Sequence, residues 1–467
     1  MERRDFLKYG AAGLAGLIVG SEMPWLLENP AYAAVQSLNF TITDAKKNMV
    51  THNAINVATC YFWIYKCNTP NFRPDCPGPN IFTTPGDTIN LSITNALDEP
   101  HAFFIPGGAG LPPVFDSGPI APGATFTGSF VAPKAGSYLY YDNLNAPVNR
   151  VMGLHGAFIV MPIAPAAGHK FTPYDTPTLN IQKLFDDLGP AAWWPGLAWE
   201  QGDPATGTPA FRQHIWVLHQ ASPLLFTDVG NFTPGQDFPA ATFVSQFLNS
   251  PYADTFHTGK FNRKAHFFTI NGQSGHFSHN NPFICPMYRV GEPALIRVLN
   301  AGLHTHSCHI HANHVYVLSL DGRLSNNLWW VDTMAAHPGT GFDWLVPYMR
   351  PPDVPNTRGI GRADPPRRTQ AGGFTWPPAQ ELATFIPPVG TLVGAIDLAV
   401  QMSPLCFPMH DHSEASQTAQ GGNYNCGLIS GINFTGDRND PAGVLTFDNP
   451  PLTHGPTKTG PAALPLV

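Results

Sequence analysis

A chain of 467 residues has room for about two to four domains and a large core. Charged residues make up only 12% of it, and a net charge of −7 supplies no basic footprint for nucleic acid. Forty-nine prolines and forty-four glycines favour many short strands joined by surface loops over a helix bundle.

At the N-terminus, Arg3-Arg4-Asp5-Phe6-Leu7-Lys8 precedes an apolar run from Tyr9 to Gly20, and Ala31-Tyr32-Ala33 offers a small-residue cleavage site. Residues 1–33 therefore read as a twin-arginine export signal, to be set aside from the fold. The expected location is the periplasm or cell envelope. Beyond that leader no segment is apolar enough for long enough to span a bilayer. Seven cysteines is an odd number, so at least one lacks an intramolecular partner. Cys67 and Cys76 bracket a short loop and can pair after export, with Cys60 as a competitor. Cys308, Cys406 and Cys426 lie in or beside the histidine motifs described below.

Two stretches echo each other. Pro85-Gly86 through Asn95 corresponds to Val290-Gly291 through Asn300, each a turn, an alternating strand and a polar stop, at a constant offset of 205 residues (Gly86 to Gly291, Asn95 to Asn300). Tyr138 through Asp142 likewise corresponds to Phe407 through Asp411, with the offset grown to 269 at the aspartates (Asp142 to Asp411). The extra residues fall largely in a proline-rich stretch at about 338–388, read as an inserted loop. The expected organisation is a first β-domain over 34–165, a connector over 166–209 with Trp193, Trp194 and Trp199, a second β-domain over 210–449, and a tail over 450–467. Short strands between Gly/Pro turns make each domain a Greek-key β-sandwich or barrel, in an all-β chain.

The chemistry concentrates in the second half. His306-Ser307-Cys308-His309-Ile310-His311 and Met409-His410-Asp411-His412 both sit in strand-like surroundings. Alternate residues of a strand share a face, so His309 projects with His311, and His410 with His412. On neighbouring strands the four imidazoles converge, and imidazole suits copper, zinc, iron or nickel. His304 and His314 flank the motif, where strand positions can point away. His276 and His279 lie in a Gly/Ser/Asn-rich turn and read as surface residues. His155 reads as a hydrogen-bonded core histidine, and His214 and His219 differ in parity and cannot share a face.

These residues resemble the multicopper oxidase and copper nitrite reductase superfamily, in its two-domain form. Cys76-Pro77-Gly78-Pro79, Pro85-Gly86-Asp87, Asn95 through Pro100, Gly153-Leu154 through Pro162 and Phe268 through Gly272 look like its framework motifs. The resemblance implies two cupredoxin-like Greek-key β-sandwich domains and bound copper. The layout also looks like that of the small laccases and nitrite reductases, which implies a homotrimer with copper at subunit contacts. His306, His309 and His311 reproduce the signature His-X-X-His-X-His, whose first member binds blue copper and whose others bind the oxygen-reducing cluster. His410 and His412 keep cluster positions, whereas Asp411 stands where the blue-copper cysteine belongs and Ser416 where its next histidine belongs, with Leu428 near the methionine position. In the first domain Phe104-Ile105-Pro106 and Tyr141-Asp142-Asn143 replace both His-X-His pairs, and His101 keeps a blue-copper position without its cysteine.

The candidate metal ligands are therefore His306, His309, His311, His410 and His412, with copper as the cofactor and a small-molecule or metal-ion substrate. Without a thiolate at position 411, and with neither Cys308 nor Cys406 at the matching place, rapid laccase-type electron entry is not expected. Asp411 and Glu414 are candidates to orient the rings, and Tyr141 and Asp142 of a neighbouring subunit are candidates to cap the site. Three readings stay open: a copper oxidoreductase with an incomplete copper set, a non-catalytic copper-tolerance binder, and a copper-free structural envelope protein on the same fold.

Overall fold

The computed structural model describes residues 35–346 and 405–436, apart from 53–56, 69–75, 109, 163–166, 189–212, 251–260, 282–283, 286, 290–293 and 312–313, together with six two-residue strands between 355 and 397. The export signal, the half of the connector that carries its tryptophans, and the tail lie outside the described residues. Among those described, no helix is long and apolar enough to cross a membrane.

The first domain carries β1 (Val35–Val50), β2 (Val57–Cys67), β3 (Ile81–Thr83), β4 (Thr88–Asn95), β5 (Phe104–Ile105), β6 (Phe115–Asp116), β7 (Thr125–Val131), β8 (Gly136–Tyr141) and β9 (His155–Val160). They pair as two sheets, β2-β1-β4-β7 and β3-β9-β8-β5-β6. The alternation in β4 is complete, with Ile89, Leu91 and Ile93 buried between half-exposed polar residues, because only one face of this sheet meets the core.

The second domain repeats the plan with β10 (Gln213–Ala221), β11 (Phe267–Ile270), β12 (Met287–Arg289), β13 (Ala294–Asn300), β14 (His306–Ile310), β15 (Val315–Leu320), β16 (Arg323–Val331), β17 (Thr333–Ala336), β18 (Gly341–Val346), β19 (Leu405–Asp411) and β20 (Ile429–Gly436). Its sheets run β11-β10-β13-β18-β15-β16 and β12-β20-β19-β14-β17. The shared strands correspond, β1 lying parallel to β4 as β10 does to β13, and β3 parallel to β9 as β12 does to β20, while β15 and β16 extend the second domain's first sheet. The correspondence extends to single side chains. Asn95 donates to the carbonyls of Glu99 (2.7 Å) and Ile120 (2.9 Å), and Asn300 donates to those of His304 (2.8 Å) and Ala336 (2.9 Å). Each asparagine thus ties the end of its strand to the loop that enters the site.

β13, unlike β4, is buried at every position, because its second face packs on the first domain. Leu295 and Leu299 join Leu139, Ile159, Val217, Tyr316 and the helix Leu179–Leu188 in a core between the domains. A buried polar clamp crosses there: Arg297 donates to Ser137 (2.9 Å), and Ser137 and Tyr174 both donate to Asp343 (2.6 Å each). Asp343 lies on β18, which places Gly341–Val346 in the heart of a sheet, whereas the sequence reading assigned these residues to the inserted loop. Most of the remainder of that expected insertion lies outside the described residues.

The loop after β19 is pinned to the strand β11 region by His266. Its Nε2–H donates to Asn262 Oδ1 (2.7 Å), and its Nδ1 accepts from the Gln420 amide, so the neutral ring is the one that fits. Burial lowers its pKa from 6.5 to about 4. An unfolded chain therefore takes up this proton first as the pH falls, and the stability tied to the neutral ring is fully present above pH 6.5 and lost as the pH drops through about 4. The expected contribution is on the order of 3 kcal/mol. Urea unfolding at stepped pH checks it: His266→Gln flattens the slope between pH 6.5 and 4 relative to the parent.

Candidate metal centre

β14 and β19 lie side by side and antiparallel, with His309 directly opposite His410 and Cys308 opposite Asp411. Period-two alternation then sorts the motif residues onto two faces. His306, Cys308 and Ile310 point inward and are buried, while His309 turns outward. His311 N–H donates to Pro408 O (2.9 Å) and His412 N–H to Ser307 O (2.8 Å), which carries the pairing one residue past each strand end.

The outer face gathers four imidazoles. Ring centroids are 5.0 Å apart for His309–His311, 5.3 Å for His309–His410, 4.9 Å for His309–His412, 4.9 Å for His311–His410 and 5.0 Å for His410–His412. Nε2 of His311 and Nε2 of His410 face each other at 2.8 Å, and one nitrogen each of His309, His311 and His410 lies within 4.8 Å of the others. Burial, followed by the neighbouring imidazoles, lowers the pKa of both His311 and His410 below 6.5. The shift favours the neutral ring, the state in which imidazole ligates a metal.

Two residues that the sequence did not single out orient these rings. His309 Nδ1–H donates to the Asp332 carbonyl (2.9 Å), with the Asp332 carboxylate at 3.2 Å, which leaves Nε2 for a ligand. His410 Nδ1 meets Tyr424 Oη at 2.7 Å, and Gln417 Nε2 fixes that hydroxyl from behind (2.8 Å). Holding the second nitrogen of a ring is how proteins aim imidazole at a metal. Glu414 is exposed, and Asp411 offers His410 only its backbone carbonyl, at 3.3 Å. Neither carboxylate therefore orients a ring of the outer cluster; the Asp411 carboxylate instead holds His306.

His306 is not part of this cluster. Its Nδ1–H donates to Asp411 Oδ2 (2.6 Å) on the inner face, and its Nε2 accepts from the Gln220 amide, so both nitrogens are spent. Asp411 also accepts from Ser416 Oγ (2.9 Å) and from the backbone N–H of Ser307 (2.7 Å) and Ser413 (2.9 Å). Its pKa is lowered: burial alone would raise it, but His306 and these donors outweigh burial. The first domain builds a similar His–Asp pair, with His101 Nδ1 2.7 Å from Asp142 Oδ2 and Asn149 donating to that oxygen (3.0 Å), but here the buried Nε2 has no hydrogen-bond partner and lies 3.8 Å from Glu99 Oε2. Asp142 is buried in this pair and cannot reach a neighbouring subunit's site, contrary to the sequence expectation.

The outer face of the first domain repeats the geometry with other chemistry. Phe104 lies opposite Tyr141, and their rings are 5.3 Å apart and edge-on, as His309 and His410 are. Other histidines lie elsewhere: His304 is half-buried and edge-on to Phe268 (5.5 Å), and His314 is exposed, 3.9 Å from Asp332. His279, expected on the surface, is buried against His52, 3.1 Å away, on the short helix Gly275–Asn280.

With this geometry in view, residues 68–164 match the family model described as multicopper oxidase. Among solved structures the chain is similar to the blue copper oxidase from Nitrosomonas europaea, with a TM-score of 0.50 and 16% identity over 86% of each chain. It also aligns with the copper nitrite reductase from Nitrosomonas europaea, with a TM-score of 0.44 and 14% identity over 87% of this chain and 95% of that one. No curated protein matches the chain. The family match over residues 68–164 and the shared cupredoxin-like β-sandwich fold support the superfamily resemblance. Copper is the metal this resemblance implies. It fits the outer patch, where four imidazoles supply nitrogen donors, and does not fit the inner pairs, where a saturated carboxylate replaces the thiolate.

Proposed function

We propose that the protein is an exported, copper-binding oxidoreductase of multicopper-oxidase type with an incomplete copper set. His309, His311, His410 and His412 hold the metal, and the observation that carries this reading is the convergence of their rings across the β14–β19 pair. Bound there, copper supplies one-electron redox chemistry toward a small-molecule or metal-ion donor. Asp332 and Tyr424 hold His309 and His410 in the ligating orientation. The resemblance to small laccases and nitrite reductases implies a homotrimer, and in such an assembly a neighbour's outer face would bring Phe104 and Tyr141 rather than imidazoles. The twin-arginine leader directs the folded chain to the periplasm or cell envelope.

The closed His306–Asp411 pair favours a second reading. With no thiolate to accept electrons quickly, the same patch serves as a non-catalytic copper binder in envelope copper tolerance. Oxygen uptake with phenols, ferrous or manganous ions, on protein of known copper content, separates the two. Copper-dependent turnover supports the oxidoreductase, stoichiometric copper without turnover supports the binder, and no retained copper after copper-replete expression rejects both. In that last case melting is indifferent to copper, and the copper-free structural reading stands. Tyr424→Phe is expected to weaken cupric affinity about 10-fold without altering urea unfolding, because it frees a ring nitrogen and removes no packing. A competition titration against a chelator measures it.

A further inference from the structure

We propose that Cys76, His155 and His219 form a second copper site, buried at the junction of the two domains and selective for the cuprous ion. It stands whether or not the outer patch binds metal. The three residues come from separate parts of the chain: the loop before β3, the first position of β9, and β10 of the second domain. All three are buried, and one donor atom of each lies within 4.8 Å of the others. Cys76 Sγ is 4.0 Å from His155 Nε2, and the two imidazole rings are 4.6 Å apart. Metal–sulfur and metal–nitrogen bonds of about 2.3 and 2.0 Å set ligand atoms about 3.5–3.7 Å apart, so closing the set takes shifts of under about 1 Å.

One nitrogen of each ring is held by a backbone carbonyl. His155 Nδ1–H donates to the Arg150 carbonyl (2.8 Å) and His219 Nε2–H to the Val151 carbonyl (2.7 Å). A carbonyl only accepts, so the proton on each ring is fixed and the other nitrogen keeps its lone pair. Burial holds both rings neutral, lowering His155 to about 4 and His219 well below its usual value. Room for the sulfur depends on Gly153, whose φ is +125°: a Cβ there would strike the Trp63 carbonyl and stand 3.1 Å from Cys76 Sγ.

Charge balance selects the ion. The Arg150 guanidinium already acts on both rings as a positive neighbour. A divalent ion with one thiolate leaves a net positive charge in a dry site, which is costly without a counter-charge. A cuprous ion with one thiolate is neutral, and soft sulfur prefers it. Gln220, the next residue along β10 from His219, bonds His306, whose partner Asp411 adjoins His410. One strand and a short chain of side chains therefore connect this site to the outer patch.

The test removes the outer patch first. His309→Ala/His410→Ala protein, expressed with copper and purified, is expected to retain one equivalent that is silent in electron paramagnetic resonance. X-ray absorption at the copper edge is expected to show a three-coordinate cuprous ion with one sulfur scatterer. In that background Cys76→Ser loses the copper with its circular dichroism intact, and Cys308→Ser keeps it. Retention of no copper, of zinc in its place, or of copper with nitrogen and oxygen scatterers alone overturns the proposal. Should Cys76→Ser fail to fold, the sulfur scatterer in the parent background decides by itself.

Discussion

Replacing His309 and His410 together with alanine lowers cupric affinity at the outer patch by more than about 100-fold, as read by titration against a competing chelator. The pair is chosen because it sits at the centre of the cluster. His309 lies opposite His410 across the strand pair, and each ring is within about 5 Å of both flanking imidazoles. Their removal leaves His311 and His412 without the two ligands that Asp332 and Tyr424 orient. The contrast is His306→Ala. That ring spends both nitrogens on Asp411 and Gln220 on the other face, so its loss leaves cupric affinity within a few-fold of the parent. If His306→Ala abolished binding as fully as the double variant, the assignment of faces would be wrong.

Asp411→Ala is the substitution expected to damage the fold most, by about 3–5 kcal/mol in urea unfolding followed by tryptophan fluorescence. The carboxylate is completely buried and accepts from four groups: His306 Nδ1–H, Ser416 Oγ–H and the N–H groups of Ser307 and Ser413. Alanine strands all four in a site water does not reach, and each buried donor left unpaired carries its own desolvation cost. Asp411→Asn keeps an acceptor for the two backbone donors and turns an amide toward His306, so it costs less than alanine. Copper binding by the refolded Asp411→Ala protein is not expected to fall in proportion, because the side chain points away from the outer rings.

The repeated plan was legible because it is written in local pattern. The 205-residue offset joining Asn95 to Asn300 also joins His101 to His306 and Phe104 to His309, and the structure superposes their roles: strand-end clamp, inner His–Asp pair, outer ring. The parity argument likewise put His309 with His311, and His410 with His412. Applied to His306 it would have separated that residue from His309 by one face, but the family spacing His-X-X-His-X-His drew them together. β18 was missed for a different reason. Buried on both faces between β13 and β15, it shows no alternation, and it adjoins a proline-rich stretch. Asp332, Tyr424 and the Cys76–His155–His219 set depend on contacts between remote segments, and no periodicity in one strand announces them. His155 did read as a hydrogen-bonded core residue, and so it is.

The most direct measurement is anomalous diffraction at the copper absorption edge from crystals grown with cupric ion. The predicted result is a peak within bonding distance of His309, His311 and His410 on the outer face of the β14–β19 pair. Strong diffraction with no peak there, or with those rings turned away from one another, would contradict it.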